Sequence, residues 1–461
     1  MSLSSSLSIA LQALLTDQGA MAVTSNNISN VNTPGYTREV ANLDETTPVQ
    51  YGTLQFGTGV QLQSIQSVQD SILQLRLNQE TQTQGQLGTF TNGMNQIQTL
   101  FNDGGGTGLQ SLLSSFFGSF QQLSTDPTNV GDRQAVLGAA QSLASGFNQT
   151  ANALVIQQQD ANESVVQAVQ QINQLTGQIA QLNGQIATAS GGAQNANTLT
   201  DQRNQLINQL SQLVDVQSIT ADGTNLTLTT NGGTLLVTGN QSFNFQTANN
   251  PVTGFQDVFA QGTDITASIQ SGSLAGDLQL RDQEIPATLN SLDTLANGIE
   301  NSVNTQNAAG FDLNGAAGGN IFNSPAAVAG SALNMSVTMT DPTKIAASAD
   351  GTPGNSANAT ALANLQNQSI ISGQNPIDYY SGIVFQVGNN AANATAQLSG
   401  ENLLVQQLQD QVGAISGVNL NQEGSNLVLY ENAYNAAARV ASVIADLYTT
   451  AINIGVATTV Q

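Results

Sequence analysis

The sequence predicts a mainly α-helical fold with a small β insert: terminal helices forming a coiled coil, a helical-bundle body, and an inserted β domain. Three observations predict it. Apolar residues at both ends recur in alternating steps of four and three. The interior carries further stripes at helical spacing, and one central stretch changes to a period of two.

At the N-terminus the seam runs through Leu3, Leu7, Ala10, Leu14, Asp17, Met21, Thr24, Ile28 and Val31. Near the C-terminus it runs through Leu427, Tyr430, Tyr434, Ala437, Ala441, Ile444, Tyr448 and Ala451. Either helix alone would expose its apolar stripe to water, so the two ends are expected to pair. Ala436, Ala437, Ala438 and Ala441 permit close approach, and the tyrosines add broad contact area with a polar tip. Arg439 is a cation in that helix, suited to the helix dipole or to a contact between subunits.

Interior stripes follow. Leu62, Ile65, Val68, Ile72 and Leu75 form one, and Phe90, Met94, Ile97 and Phe101 another. A third passes through Val169, Ile172, Leu175, Ile179, Leu182 and Ile186. Leu206, Leu210 and Leu213 mark a fourth, Leu289, Leu292, Leu295, Ile299 and Val303 a fifth, and Val405, Leu408, Val412 and Ile415 the last. In "SITADGTNLTLTTNGGTLLVTG" apolar residues alternate with threonine, and "NGG" at residues 231–233 supplies the positive φ of a hairpin turn. Strand-like sequence extends to about "SGSLAGDLQLRD". "SVTMTDPTKIAAS" reads as a strand pair or edge, and "DGGGTG" at residues 103–108 as a connector. The layout is nested: terminal domain 1–45 with 418–461, helical body 46–215 with 281–417, and β insert 216–280.

Composition excludes several kinds of function. Seven Lys and Arg stand against thirty Asp and Glu, for a formal charge of −23. Nucleic-acid binding needs clustered cations, and so does docking on anionic lipid. Neither partner is expected. The chain has no His and no Cys. That removes imidazole acid–base chemistry, His and thiolate metal ligation, and disulfides. Asp201, Asp277, Asp282 and Glu284 sit near element ends, where capping or solvated roles are usual. "DLNGAAGGN" lacks the alternating oxygen ligands of a calcium loop. No catalytic residue, cofactor or metal is expected. The N-terminus has no basic, long-apolar secretory leader, and no run reaches the roughly 20 apolar residues of a membrane span.

The segment "TSNNISNVNTPGYTRE" at residues 24–39 is the most informative. Pro34 disfavours helix at Thr33, and Pro34–Gly35 fit the central positions of a type II turn. That explains the stop but not Asn26, Asn27 and Asn30, since asparagine is a mediocre helix former that gains from partners for its amide. The segment reads either as a well-made helix stop alone or as one whose amides bond across to neighbouring chains, and the residues by themselves leave both open.

The same segment resembles the signature of bacterial flagellar rod, hook and hook-associated proteins. "SGVNLNQEGSNLVLYENAYNAAARVASVIADLYTTAINI" is similar to the C-terminal helix of that axial family. "LTDQRNQLINQLSQLVDV", "SGSLAGDLQLRD" and "NTQNAAGFDLNGAAGGNIF" resemble the body of its hook-associated, hook–filament junction members. The resemblance implies a structural adaptor, exported through the flagellar type III apparatus and assembled helically outside the cell, with no enzyme activity. It implies as partners copies of the chain, the hook protein, a second junction protein, the filament, and an export chaperone on the C-terminal helix. Ends disordered in the monomer would order on assembly. The expected assembly contacts are Leu3, Leu7, Leu14, Met21, Asn26, Asn27, Asn30, Pro34, Gly35, Tyr36, Leu427, Tyr430, Tyr434, Arg439, Ile444 and Tyr448. A hook or rod protein is the alternative, and would have a mainly β body. A secreted enzyme on an axial scaffold would need a cleft with two facing carboxylates. A surface adhesin would show an exposed aromatic or apolar patch on the β insert.

Overall fold

The structure is a computed structural model that describes residues 3–102, 108–191, 196–221 and 225–457. Most of the "DGGGTG" connector lies outside the described residues, as do residues 222–224 of the central strand stretch.

Helix α1 (Leu3–Ser29) packs along α11 (Leu420–Ala457), so the two ends of the chain meet. After α1 the chain forms a ribbon of β1 (Glu39–Glu45) and β4 (Val60–Ser67), with a small hairpin of β2 (Val49–Tyr51) and β3 (Leu54–Phe56) between them. This corrects two expectations. The stripe from Leu62 to Leu75 is not one helix but β4 followed by α2 (Ser71–Leu100). "VQLQ" at the start of β4 alternates apolar residues with glutamine, and antiparallel pairing with β1, through an irregularity at Asn42–Leu43, outweighs the coincident helical spacing. Asp70 then caps α2, accepting from the Ile72 and Leu73 amides. The segments assigned to the terminal domain and helical body therefore both contain strand.

Helices α3 (Leu109–Thr125), α4 (Val130–Gly191) and α5 (Asn197–Leu213) follow. Helix α4 has 62 residues. At the α-helical rise it runs roughly 90 Å. Its N-terminal half joins α2, α3, α7 (Ile285–Ala308), the short α8 (Ser331–Asn334), α9 (Ala357–Asn364) and α10 (Pro376–Ser416) around one large apolar core. Phe116, Phe117, Phe120 and Phe322 interlock there, with Phe116 and Phe120 edge to face at 5.3 Å between centroids. Tilted and edge-on contacts of this kind suit the charge distribution of aromatic rings better than flat stacking. The C-terminal half of α4, with α5, encloses a second core against the β insert.

The insert is a four-stranded antiparallel sheet, β5 (Gln217–Ala221), β6 (Asn225–Thr229), β7 (Leu235–Thr238) and β8 (Gln241–Ser242) in that order. Beside it stands a three-stranded sheet of β9 (Phe245–Asn249), β10 (Gln256–Ala260) and β11 (Thr263–Asp264), with β10 central. Gly233, at φ 82°, makes the turn from β6 to β7. Strand structure stops sooner than its sequence suggests. Ser273–Gln279 is α6, which passes through a π-helical segment, Leu280–Glu284, into α7. Leu274, Ala275 and Leu278 are buried on one face of α6, so helical spacing prevails over the strand-like composition. "SVTMTDPTKIAAS" also departs from expectation, with isolated bridges such as Phe322 to Val337 and a single 3₁₀ turn at Pro342–Lys344.

Asparagine side chains tie these parts together. Asn173 on α4 donates to the Phe245 carbonyl at 2.8 Å and accepts from its amide at 2.7 Å, imitating a neighbouring strand at the start of β9. Asn304 and Asn307 on α7 do the same for the irregular backbone at residues 319–322 and 346. Asn148 donates to the carbonyls of Ala332, Leu333 and Met335. Buried irregular backbone needs such partners, and a neutral amide supplies both donor and acceptor. Arg281, buried at the π-helical segment, holds the insert with bonds to the Gln256 carbonyl and Asn162 and lies over the Phe255 ring.

Gly85 marks where α2 crosses α5, because a Cβ there would overlap the Gln212 carbonyl oxygen. Gly85→Ala is expected to lower stability by roughly 1–3 kcal/mol, since backbone cannot move aside as a side chain can. A chemical-denaturation midpoint unchanged from the native chain would show that the crossing is loose.

Candidate functional site

The site is the joint at which the terminal helix pair meets the body. Helix α1 stops at Ser29, and Thr33–Tyr36 form the turn. The Tyr36 amide donates to the Thr33 carbonyl at 3.2 Å, and Gly35 has φ 77°. Positive φ at the third turn position is what a type II turn requires. The turn carries the chain back beside α1, so that Tyr36, Thr37 and Glu39 stand against Asn26 and Asn27.

Asn27 is 1% exposed and is the centre of the joint. Its Nδ2 donates to the Glu39 carbonyl at 2.8 Å and to Glu423 Oε2 of α11 at 3.2 Å. Its Oδ1 accepts from the Tyr36 hydroxyl at 2.8 Å and the Glu39 amide at 2.9 Å. Both donors and both acceptor positions are filled within one chain. Asn26 Nδ2 reaches the Tyr36 hydroxyl and Glu39 Oε2, and Asn30 Nδ2 bonds back to Asn26 at 3.0 Å. Within this one chain the three amides already have partners. The turn folds back within reach of Asn26 and Asn27, and Asn30 is one helical turn from Asn26.

The joint continues into α5. Asp201 is buried there and accepts from the Thr37 amide at 2.9 Å, the Thr37 hydroxyl at 2.7 Å and Gln69 Nε2 at 2.9 Å. Asn197 donates to Glu39 Oε1 at 2.8 Å and to the Ile65 carbonyl. On the other side the Arg38 amide donates to the Ser416 carbonyl at the end of α10, and the Arg38 carbonyl accepts from Val68. The turn and the residues just after it are therefore fastened to α1, α5 and the end of α10, and Asn27 carries the link on to α11. Beside it lies a groove of ≈ 560 Å³ lined by Pro34, Leu73, Leu77, Gln205 and Val412 among others.

Three carboxylates meet here, Glu39, Asp201 and Glu423, with amide, hydroxyl and peptide donors in place of cations. Burial pushes the Asp201 carboxyl up, with the Glu39 charge adding to it and the Thr37 and Gln69 bonds opposing. Burial, then the Glu39, Asp201 and Glu423 charges, hold the Tyr36 hydroxyl protonated far above its usual range. Tyr36 is a fixed donor at any physiological pH. The arrangement can hold elements at a set angle. Among the described residues no group of three or more His, Cys, Asp or Glu is placed to hold a metal ion.

The other expected contacts distribute along the helix pair. Leu3, Leu7, Leu14, Met21, Leu427, Tyr430 and Tyr448 are half-buried, and Ile444 is buried. Tyr434, Arg439, Pro34 and Gly35 are exposed. The joint residues that sequence reasoning missed are Thr37, Glu39, Gln69, Asn197, Asp201 and Glu423. Asp201 is a buried anchor and not a solvated cap. Only Glu423 had a usable signal, because it falls on the seam one turn before Leu427, where a carboxylate requires a partner.

Residues 94–322 match the family described as "Flagellar hook-associated protein FlgK helical domain", and residues 7–37 match "Flagella basal body rod protein". Flagellar hook-associated protein 1 of Bacillus subtilis (strain 168) is 29% identical, with 97% of each chain covered. That of Escherichia coli (strain K12) is 27% identical over 98% of this chain and 100% of its own. Over nearly its whole length the chain is similar to flagellar hook-associated protein 1. The hook junction protein FlgK of Burkholderia pseudomallei shares the fold, with a TM-score of 0.67 at 18% identity, covering 74% of this chain and 100% of that one. The joint spans the family's two matched parts and the end of its chain: the rod-type match ends at Thr37, the helical-domain match contains Asn197 and Asp201, and Glu423 lies beyond both.

Proposed function

We propose that this chain is a structural subunit of the extracellular bacterial flagellum that joins hook to filament by helical self-assembly. The observation that carries the reading is a terminal helix pair, fastened to a rigid body, whose outer surface is apolar. Leu11 and Leu15 on α1, and Val440, Val443, Leu447 and Ile452 on α11, are all at least half exposed. Such faces are buried only when further subunits surround the pair. Packing in a helical tier is heterologous, so each copy offers two different faces, one toward the hook and one toward the filament. The long helices α2, α4 and α7 favour a junction subunit over a hook or rod protein with a mainly β body.

Finer assignments follow from the same surface. An export chaperone covers the apolar face of α11 before secretion, and a second junction protein follows on the filament side. In the free monomer the ends of both terminal helices that lie beyond the joint are loosely held, and they become ordered on assembly. The seam residues from Leu3 to Met21 and from Leu427 to Tyr448 are the assembly contacts. The role is mechanical and not catalytic.

The test is filament attachment in a strain lacking this chain. Filament subunits are expected to escape into the medium and leave bare hooks, and the full chain restores attachment. Chains lacking residues 1–40 or 420–461 keep a folded body but do not restore it. Normal filaments on the deletion strain would remove the junction role.

A further inference from the structure

We propose that Arg38, Arg76 and Arg439 are charge anchors that receive carboxylates of a neighbouring copy of this chain. The proposal rests on the self-assembly reading and adds the chemistry of the contact. The chain has seven cationic side chains, and four are engaged internally. Arg133 is buried on the Pro127 and Ile345 carbonyls, Arg203 donates to Asn183, Arg281 holds Asp282, Asn162 and Gln256, and Lys344 pairs with Asp312 at 3.0 Å. The side chains of Arg38, Arg76 and Arg439 make no hydrogen bond or ion pair within the described residues. Arg76 and Arg439 are exposed and Arg38 half-buried.

Arg38 lies on the joint turn, Arg76 near the start of α2 just beyond β4, and Arg439 on α11. Arg439 has Asn435, Ala436, Ser442 and Val443 at the positions within reach on its own helix, so no carboxylate of that helix can satisfy it. It sits among the exposed Val440, Val443 and Leu447. An arginine centred in an uncovered apolar face suits an interface, where its planar fork takes a carboxylate from the other side.

Charge names the occupant. Each copy carries −23. Bringing copies together is therefore opposed by repulsion unless the touching faces carry local cations. A second copy is the acidic partner available at every step of self-assembly. Its own terminal region presents Asp44, Glu45, Glu431 and Asp446, all exposed and outside every ion pair among the described residues.

The experiment compares R38E, R76E and R439E with R38K, R76K and R439K as full chains. Each is expressed in the deletion strain and each purified chain is also added to bare hooks, which separates assembly from export. R76E and R439E are expected to melt like the native chain, and all three Glu variants to lower filament attachment roughly ten-fold or more, while the Lys variants keep most of it. Glu variants that attach normally, or Lys variants that fail as badly, overturn the proposal. If the native chain itself fails to restore attachment, the junction reading has failed and not the charge argument alone. R439C, in a chain with no cysteine of its own, carries a photo-crosslinker to identify the partner. A crosslinked dimer of this chain is expected, and a product with the hook protein alone overturns the choice of occupant.

Discussion

Asn27→Ala unfastens both ends of the chain from the body. The substitution leaves the Glu39 peptide and the Tyr36 hydroxyl short of partners and takes away the donor that faces Glu423. Each buried group so stranded costs about 1–3 kcal/mol, and water entering the exposed side recovers part of it, so a loss of about 2–4 kcal/mol is expected. The loss is local, because α1 and α11 share little with the large core around α3 and α7. Hydrogen exchange should accelerate in both helices and in residues 33–39, while α4 and α7 stay protected, and filament attachment should fall. Asn27→Asp should be worse than alanine, since it sets a carboxylate against the Glu39 carbonyl and Glu423. Unchanged exchange in α11 after Asn27→Ala would show that the bond between Asn27 and Glu423 does not couple the helices.

Glu300→Met is expected to stabilise the body, and to do so more at pH 8 than at pH 5. Glu300 lies on α7, fully buried, and neither carboxyl oxygen has a partner. Burial first, and the Asp293 charge second, push its carboxyl up to about 8 from an ordinary 4.5. A group raised on folding favours the folded state fully below its unfolded value and loses that contribution as pH rises through its folded one. Stability of the native chain should therefore decline between about pH 4.5 and 8, with Glu300 responsible for on the order of 2–4 kcal/mol of the fall. Asp277 and Glu401, each pushed up to about 7 chiefly by burial, act in the same direction. Methionine matches the volume without a polar atom, so the variant's pH slope should flatten. Denaturation curves that run parallel for both chains from pH 5 to 8 would place the titration elsewhere.

Much of this architecture is legible in the sequence because it depends on periodicity. The seams from Leu3 and Leu427, the α4 stripe from Val169 to Ile186 and the threonine alternation around Leu226 and Leu228 each repeat often enough to identify their element. Short segments are less secure. In "VQLQSIQS" the opening "VQLQ" has a period of two while Leu62 and Ile65 keep a helical spacing, and only pairing of β4 with β1 decides between them. "SLAGDLQ" looks like the end of a β insert until Leu274 and Leu278 are buried together on one helical face.

The sequence by itself determined the helical class, the absence of imidazole and thiol chemistry, and the turn at Pro34–Gly35. All of these follow from composition or from neighbours in the chain. Only the tertiary structure decided what the asparagines do. An amide forms the same bonds to its own chain as to another, and nothing in the spacing of Asn26 and Asn27 records that Tyr36 and Glu39 fold back onto them. Glu423 lies 396 positions away from Asn27 and Asp201 lies 164 from Thr37, distances over which local pattern carries no information. Hydrogen bonds are directional and short, so their partners become known only when the packing of helices fixes which backbone and side-chain groups arrive at one place.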